Sequence, residues 1–233
     1  MAEKALIVGT GAGLSASLAR LFKKEGMEVA IAARSPDKNA DLAAELGANS
    51  GTRNYRCDAA DIDSVADLFA AVEADMGAPD IVVYNPSARV RGPVTELDPV
   101  AGRDAVLVTA YGAFLVAQQA AKRMEARGSG TLMFTGASAG VKGYPNSSCF
   151  AIGKFGLRGL AQSLARELQP KNIHVAHFVI DGGIESANRQ APADKPDSML
   201  NPDAIAESYL HVHRQHRSAW TWEIELRPWV ESF

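Results

Sequence analysis

At 233 residues the chain is long enough for one sizeable domain and short for two, and a hydrophobic content of 47% excludes a disordered polymer. A formal net charge of −3 leaves no basic footprint for nucleic acid. Two cysteines, Cys57 and Cys149, fit reduced thiols rather than a disulfide scaffold. Met1-Ala2-Glu3-Lys4 runs straight into an apolar stretch, so no signal peptide is expected. No apolar run reads as long enough to span a membrane, and a cytoplasmic protein without membrane partners is expected.

The elements alternate along the chain. Leu6-Ile7-Val8 is a buried-strand run, and the glycines at 9, 11 and 13 turn it into a helix with Leu14, Leu18, Leu21 and Phe22 on one face. Gly26 closes that helix. A strand is predicted over 27–33, a helix over 41–46, a strand over 53–57 and an amphipathic helix over 62–75. A strand over 80–84 leads to one long Ala-rich helix over 104–127, stopped by Gly128. Then come a strand at 131–135, a loop with Gly140, Gly143 and Pro145, a helix at 149–168 and a strand at 173–180. The polar stretch 186–199, with Pro192 and Pro196, reads as a mobile loop near the substrate (about 185–201). It is followed by a helix over 202–213 and a strand over 221–226. This alternation predicts an α/β fold, a doubly wound parallel sheet of about seven strands with helices on both faces, in a single domain spanning 1–233.

Strand, glycine turn and helix together bring backbone N–H groups and a helix N-terminus up to a pyrophosphate. Gly9, Gly11, Gly13 and Leu14 are therefore candidate cofactor residues. Arg34 follows the second strand where NAD-selective folds place an acid. A guanidinium there suits a 2′-phosphate, which favours NADP(H) over NAD(H). A solvated loop arginine is the plainer reading.

The turn from Gly9 to Ser15 (Gly9, three residues, Gly13, one residue, Ser15) resembles the T-G-x-x-x-G-x-G turn of the short-chain dehydrogenase/reductase family, with Ser15 in place of the last glycine. Val82-Val83-Tyr84-Asn85-Pro86-Ser87-Ala88 is similar to its N-N-A-G element, and the 150–161 segment looks like its Y-x-x-x-K helix. The resemblance reaches about Leu168. It implies a Rossmann-type fold and assigns Asp58 to the adenine, Asn85 to cofactor support through backbone contacts, and Gly182 to the nicotinamide side. Asp58 as a helix cap and Asn85 as a plain turn residue are the plainer readings of those two. The family's lysine, which holds the nicotinamide ribose, falls on Lys154. Its tyrosine acid falls on Phe150, its serine on Ala137 with Ser138 alongside, and its asparagine on Thr109. Phe150 cannot donate a proton, so the resemblance implies an oxidoreductase of a carbonyl or hydroxyl substrate with an atypical proton route. Ser138 and Tyr144 are the candidate replacements, with Tyr111 and Cys149 behind them. A cofactor-binding regulatory or scaffold protein without hydride chemistry is the alternative, as is a lyase or isomerase use of the pocket. Asp181 is a candidate substrate partner, and His177 reads as a strand residue satisfied in place. His211, His213 and His216 do not share a helix face, so no metal site is expected. The three tryptophans at 220, 222 and 229 suggest burial against a neighbour. The family's two long helices imply a homodimer or homotetramer.

Overall fold

The computed structural model describes residues 2–47, 53–186 and 189–231. Seven strands form one sheet in the order β3-β2-β1-β4-β5-β6-β7. They are β1 (Lys4–Val8), β2 (Glu28–Ala33), β3 (Arg53–Arg56), β4 (Ile81–Tyr84), β5 (Gly130–Thr135), β6 (Ile173–Ile180) and β7 (Glu223–Leu226), and every pairing is parallel. Central strands of such a sheet are covered on both faces, which is why Ala5–Val8 and all of β6 are continuously buried.

The helices divide between the two faces. α1 (Leu14–Lys24), α2 (Ala40–Glu45) and α7 (Pro202–His213) bury Leu18, Phe22, Leu42 and Tyr209 against one side of the sheet. α3 (Ile62–Met76), α5 (Gly112–Arg127) and α6 (Ser148–Leu168) bury Leu68, Phe69, Val116 and Leu157 against the other. Asp61 caps α3 by accepting from Ser64 N at 2.7 Å, and Asn201 caps α7.

Most elements fall within two residues of expectation, and β6 and α7 match it end to end. The long helix over 104–127 does not. α4 (Pro99–Val106) begins five residues earlier, where Asp98 accepts from Val100 N and Ala101 N. A π-helical turn, Leu107–Tyr111, then interrupts the run before α5. The cause is tertiary: Tyr84, fully buried on β4, donates its hydroxyl to Val108 O. Gly112 follows because Ala59 O and Tyr84 Oη lie where its Cβ would be. The continuous helical run 99–127 is also long and apolar enough to cross a membrane by length and composition, where the sequence reading found no such stretch. Its apolar character serves the core here, through Ala113, Val116, Ala117, Ala120 and Met124.

The expected mobile loop is held at both ends. Ser186 bridges Arg189, and Ile184 bridges Leu200; residues 187 and 188 lie outside the described residues. Two of the three tryptophans pack within the chain. Trp220 stacks on His174 at 4.6 Å between ring centroids, and Trp222 packs against the core. Trp229 is exposed.

Candidate functional site

In a doubly wound sheet the crevice opens at the carboxyl ends of the strands where the strand order reverses, here between β1 and β4. A cleft of about 560 Å³ lies there. Its floor is Gly9, Thr10 and Gly11 after β1, and its walls are Arg34, Ser35 and Lys38 after β2, Asp58 and Ala59 after β3, and Asn85 to Ser87 after β4. A second pocket of about 330 Å³ continues from it, sharing Asn85 and Ser87 and ending at Thr135, Ala137, Phe150, Lys154 and Gly182.

The first pocket keeps its backbone open. Gly9 adopts φ +86°, and a Cβ there would come within 2.6 Å of Pro86. Around Gly11 and Gly13 nothing lies within 4 Å of where a Cβ would sit, so a ligand can come up to the main chain. No side chain caps the N-terminus of α1 and its first turn has no acid, which leaves N–H groups for an anion. Leu14 contributes only backbone to this end, because its side chain turns into the core. Ser15 is buried and works as a clamp: its hydroxyl donates to Gly9 O at 3.0 Å and accepts from Asn85 Nδ2 at 2.7 Å. Asn85 thus supports the turn through its side chain as well as through its backbone N–H, which donates to Val8 O. Asp58 does not cap α3, since Asp61 does; it faces the cleft with Oδ1 accepting from Ala60 N at 3.1 Å. Arg34 is exposed at the mouth and lines the cleft together with Lys38, and β2 ends in Ala33 rather than in an acid. A dinucleotide therefore fits, with its phosphates at the glycine turn and a cationic corner at Arg34 and Lys38. Lys38 was not singled out in the sequence; it reaches the cleft from the 3-10 turn (Pro36–Asn39) that follows Arg34.

The inner pocket is chemically different. Lys154 is only 2% exposed, and its Nζ donates to Thr135 O at 2.7 Å. Burial, assisted by the charge of Arg89, pushes its ammonium down to about 7. Phe150 stands one helical turn before it, 5% exposed, clustered with Ala137 and Ala139. The Arg89 guanidinium carbon lies 4.1 Å from the Phe150 ring centroid, and Lys154 Nζ 5.9 Å from it. Gly182 lines the pocket at φ +155°, with Pro228 Cδ 2.8 Å from where a Cβ would be.

Several sequence candidates are placed elsewhere. Ser138 starts a 3-10 turn and is not in the pocket lining, where Ala137 is. Tyr144 is 42% exposed outside the pocket, with Lys142 over its ring. Tyr111 stacks on Phe114, and Cys149 Sγ packs on Gly102. Thr109 is fully buried, accepting from Ala88 N at 3.2 Å and pressed so closely on α6 that Gly153 has no room for a Cβ. Asp181 is not free for a substrate, because it is buried and ion-paired with Arg227 at 3.5 Å and Lys142 at 3.7 Å. His177 is satisfied on one side: Nδ1 meets Glu223 at 3.0 Å, while among the described residues the buried Nε2 has no partner, and burial pushes its pKa down to about 4. His213 is engaged by Thr131 and Glu3. Conversely, Arg89 and Arg189 line the inner pocket and were missed. They lie 100 positions apart, and no spacing rule connects them.

A family model described as short chain dehydrogenase matches residues 3–196. The chain belongs to the short-chain dehydrogenase family. The matched part ends before α7 and β7. A cis-4-hydroxycyclohexanecarboxylate dehydrogenase of Sinomonas cyclohexanicum is 32% identical over 174 residues, covering 73% of this chain and 69% of its own. Among solved structures, a short-chain dehydrogenase from Rhodopseudomonas palustris is 34% identical with a TM-score of 0.84, over 97% of this chain and 99% of that one. An alcohol dehydrogenase from the archaeon Thermococcus sibiricus, complexed with 5-hydroxy-NADP, shares the fold at 21% identity and a TM-score of 0.85, over 100% of this chain and 99% of that one.

Proposed function

We propose that the chain is an NADP(H)-dependent oxidoreductase that interconverts a carbonyl and a hydroxyl group, with Lys154 rather than a tyrosine handling the proton. The observation that carries this reading is a pair of adjoining pockets, with a glycine turn and cationic corner in the outer one and a buried lysine in the inner one. When bound, the nicotinamide supplies or accepts the hydride. Gly9, Gly11 and the α1 N-terminus would hold the pyrophosphate, Asp58 the adenine, and Arg34 with Lys38 the 2′-phosphate. The family relatives named as dehydrogenases support the oxidoreductase class.

On this reading Phe150 occupies the place of the family's acid and Ala137 that of its hydroxyl, so the pocket wall facing the substrate oxygen is apolar. Of the groups lining the pocket, Lys154 is the one whose pKa burial brings down to about 7, beside the Ser87 and Thr135 hydroxyls and two guanidiniums. In reduction, Nζ gives a proton to the oxygen as hydride reaches the carbonyl carbon, and the resulting amine recovers a proton from solvent. Oxidation runs the same steps backwards. A group whose pKa lies near the working pH is well matched to both directions. The apolar surface of Tyr111, Phe114, Ile152 and Phe155, exposed on the outer faces of the π turn, α5 and α6, supports pairing with a second copy; a monomer in light scattering at micromolar concentration would contradict it.

Titration calorimetry with NADPH and NADH tests the cofactor. NADPH should bind more tightly, and Arg34→Asp should weaken NADPH by about 10- to 100-fold, the worth of charged hydrogen bonds. Equal or tighter binding of NADH to the wild type contradicts the assignment.

A further inference from the structure

The inner pocket holds more positive charge than proton transfer requires. Arg89, Lys154 and Arg189 all line its 330 Å³, and among the described residues no Asp or Glu is in the lining. Arg89 enters from the loop after β4 and lies over one side of the Phe150 ring. Arg189 enters from the loop after β6, its guanidinium laid so closely on Gly183 that any Cβ there would collide with Nη2. Of the acids on the segment that leads to Arg189, Asp181 pairs with Lys142 and Arg227, and Glu185 accepts from Ala191 N at 3.5 Å. Among the described residues neither Arg89 nor Arg189 has an acidic partner.

The three cations also act on one another. Arg89 is held below the usual guanidinium range by burial and then by Arg91 and Arg189, and Arg89 in turn depresses Lys154. Arg89 and Arg189 are exposed at the pocket's mouth while Lys154 is buried behind them, so solvent screens their repulsion in the free protein, and an anion entering the pocket would meet cations with no competing carboxylate among the described lining residues. The cofactor's phosphates do not account for them, because the glycine turn, Arg34 and Lys38 belong to the outer pocket.

We propose that this pocket takes a substrate bearing an anionic group, a carboxylate or a phosphate, gripped by Arg89 and Arg189 so that its carbonyl lies beside Phe150 and Lys154. Two guanidiniums reaching in from separate loops suit the two-pronged recognition of such groups. The proposal rests on the oxidoreductase reading for the carbonyl, but the anion site itself stands on this chain's own side chains. It also gives the apolar Phe150 ring a use, as the platform that supports the Arg89 guanidinium.

Calorimetric titration separates the two. The probes are 4-oxopentanoate, dihydroxyacetone phosphate and uncharged 2-pentanone, each titrated with and without NADPH into wild type, Arg89→Gln and Arg189→Gln whose thermal melts match wild type. At least one anionic probe should bind wild type and weaken about 10- to 100-fold in each variant, while 2-pentanone binds no better to wild type than to the variants. Whichever anion shows the arginine dependence identifies the group as carboxylate or phosphate. Should the variants misfold, Arg89→Lys and Arg189→Lys replace them, with loss of the two-pronged grip expected to weaken binding less. Equal binding of 2-pentanone and the anions, or no arginine-dependent binding of either anion, overturns the proposal. So does loss of NADPH affinity in the variants with anion binding intact, which would assign the arginines to the cofactor. Failure of wild type to bind NADPH defeats the oxidoreductase reading instead and leaves the anion titration readable.

Discussion

The two ends of the cleft are built from different materials. The outer end is main chain: glycines with open space beside them, an uncapped helix start, and Ser15 clamped between Gly9 and Asn85. Its chemistry depends on backbone shape, so it tolerates Ser15 where the family has glycine, because a hydroxyl adds two hydrogen bonds without intruding on the turn. The inner end is side chain: Phe150, Ala137, Lys154, Arg89 and Arg189 on α6, β5's exit and two loops. There a single exchange changes what the site can do. A fold can therefore keep its dinucleotide cradle while its proton chemistry and substrate recognition are rebuilt.

The sharpest way to break that comparison is at Lys154. Lys154→Met keeps the stem and removes the proton, so kcat for NADPH-dependent reduction should fall about 10²- to 10⁴-fold, the usual worth of a positioned acid. A loss confined to KM would instead assign Lys154 to binding alone.

The same lysine leaves a mark on stability. Its pKa is 10.5 ordinarily and about 7 in the fold, so between those values the unfolded chain binds more protons than the native one. Unfolding free energy should then rise with pH across that window and be flat in this respect below 7, where both states carry the charge. Denaturant melts should show the rise in wild type and its disappearance in Lys154→Met, a difference of a few kcal/mol at most (about 1.4 kcal/mol per pH unit). Parallel curves for the two proteins would mean that Lys154 keeps an ordinary pKa.

The smallest expected effect belongs to the outer end. Ser15→Ala removes the acceptor of Asn85 Nδ2 and the donor to Gly9 O. It should cost about 1–2 kcal/mol and lower the melting temperature by about 2–8 °C, with a modest loss of NADPH affinity. A larger fall in affinity than in stability would show that the clamp sets the turn's shape rather than merely fastening it.

How far the sequence carries the reader follows the same division. The strands and helices were legible because burial on both faces writes continuous apolar runs and burial on one face writes helical stripes, as in β4 and α3. The glycine turn was legible because only glycine permits Gly9's φ and its approach to Pro86. The π turn at Leu107–Tyr111 was not, since it answers to the hydroxyl of Tyr84, a partner 24 residues away. Nor was the engagement of Asp181, whose partners Lys142 and Arg227 come from distant loops. Arg89 and Arg189 read as ordinary loop cations until β4 and β6 deliver them to one pocket. Ser138 and Tyr144 had the right functional groups within a few residues of the site, but the 3-10 turn after β5 directs Ala137 inward in their place.

The central claim is that the proton is carried by a buried lysine beside a phenylalanine. The most direct measurement is the pH dependence of kcat for NADPH-dependent carbonyl reduction, in wild type and in the double variant Phe150→Tyr with Ala137→Ser. Reduction needs Lys154 protonated, so wild-type kcat should decline as pH rises through about 7. The double variant restores a phenol and a hydroxyl at two positions that line the pocket together. Its kcat should exceed the product of the two single effects and persist to higher pH. A wild-type kcat that stays level to pH 9 and also survives Lys154→Met would contradict the account.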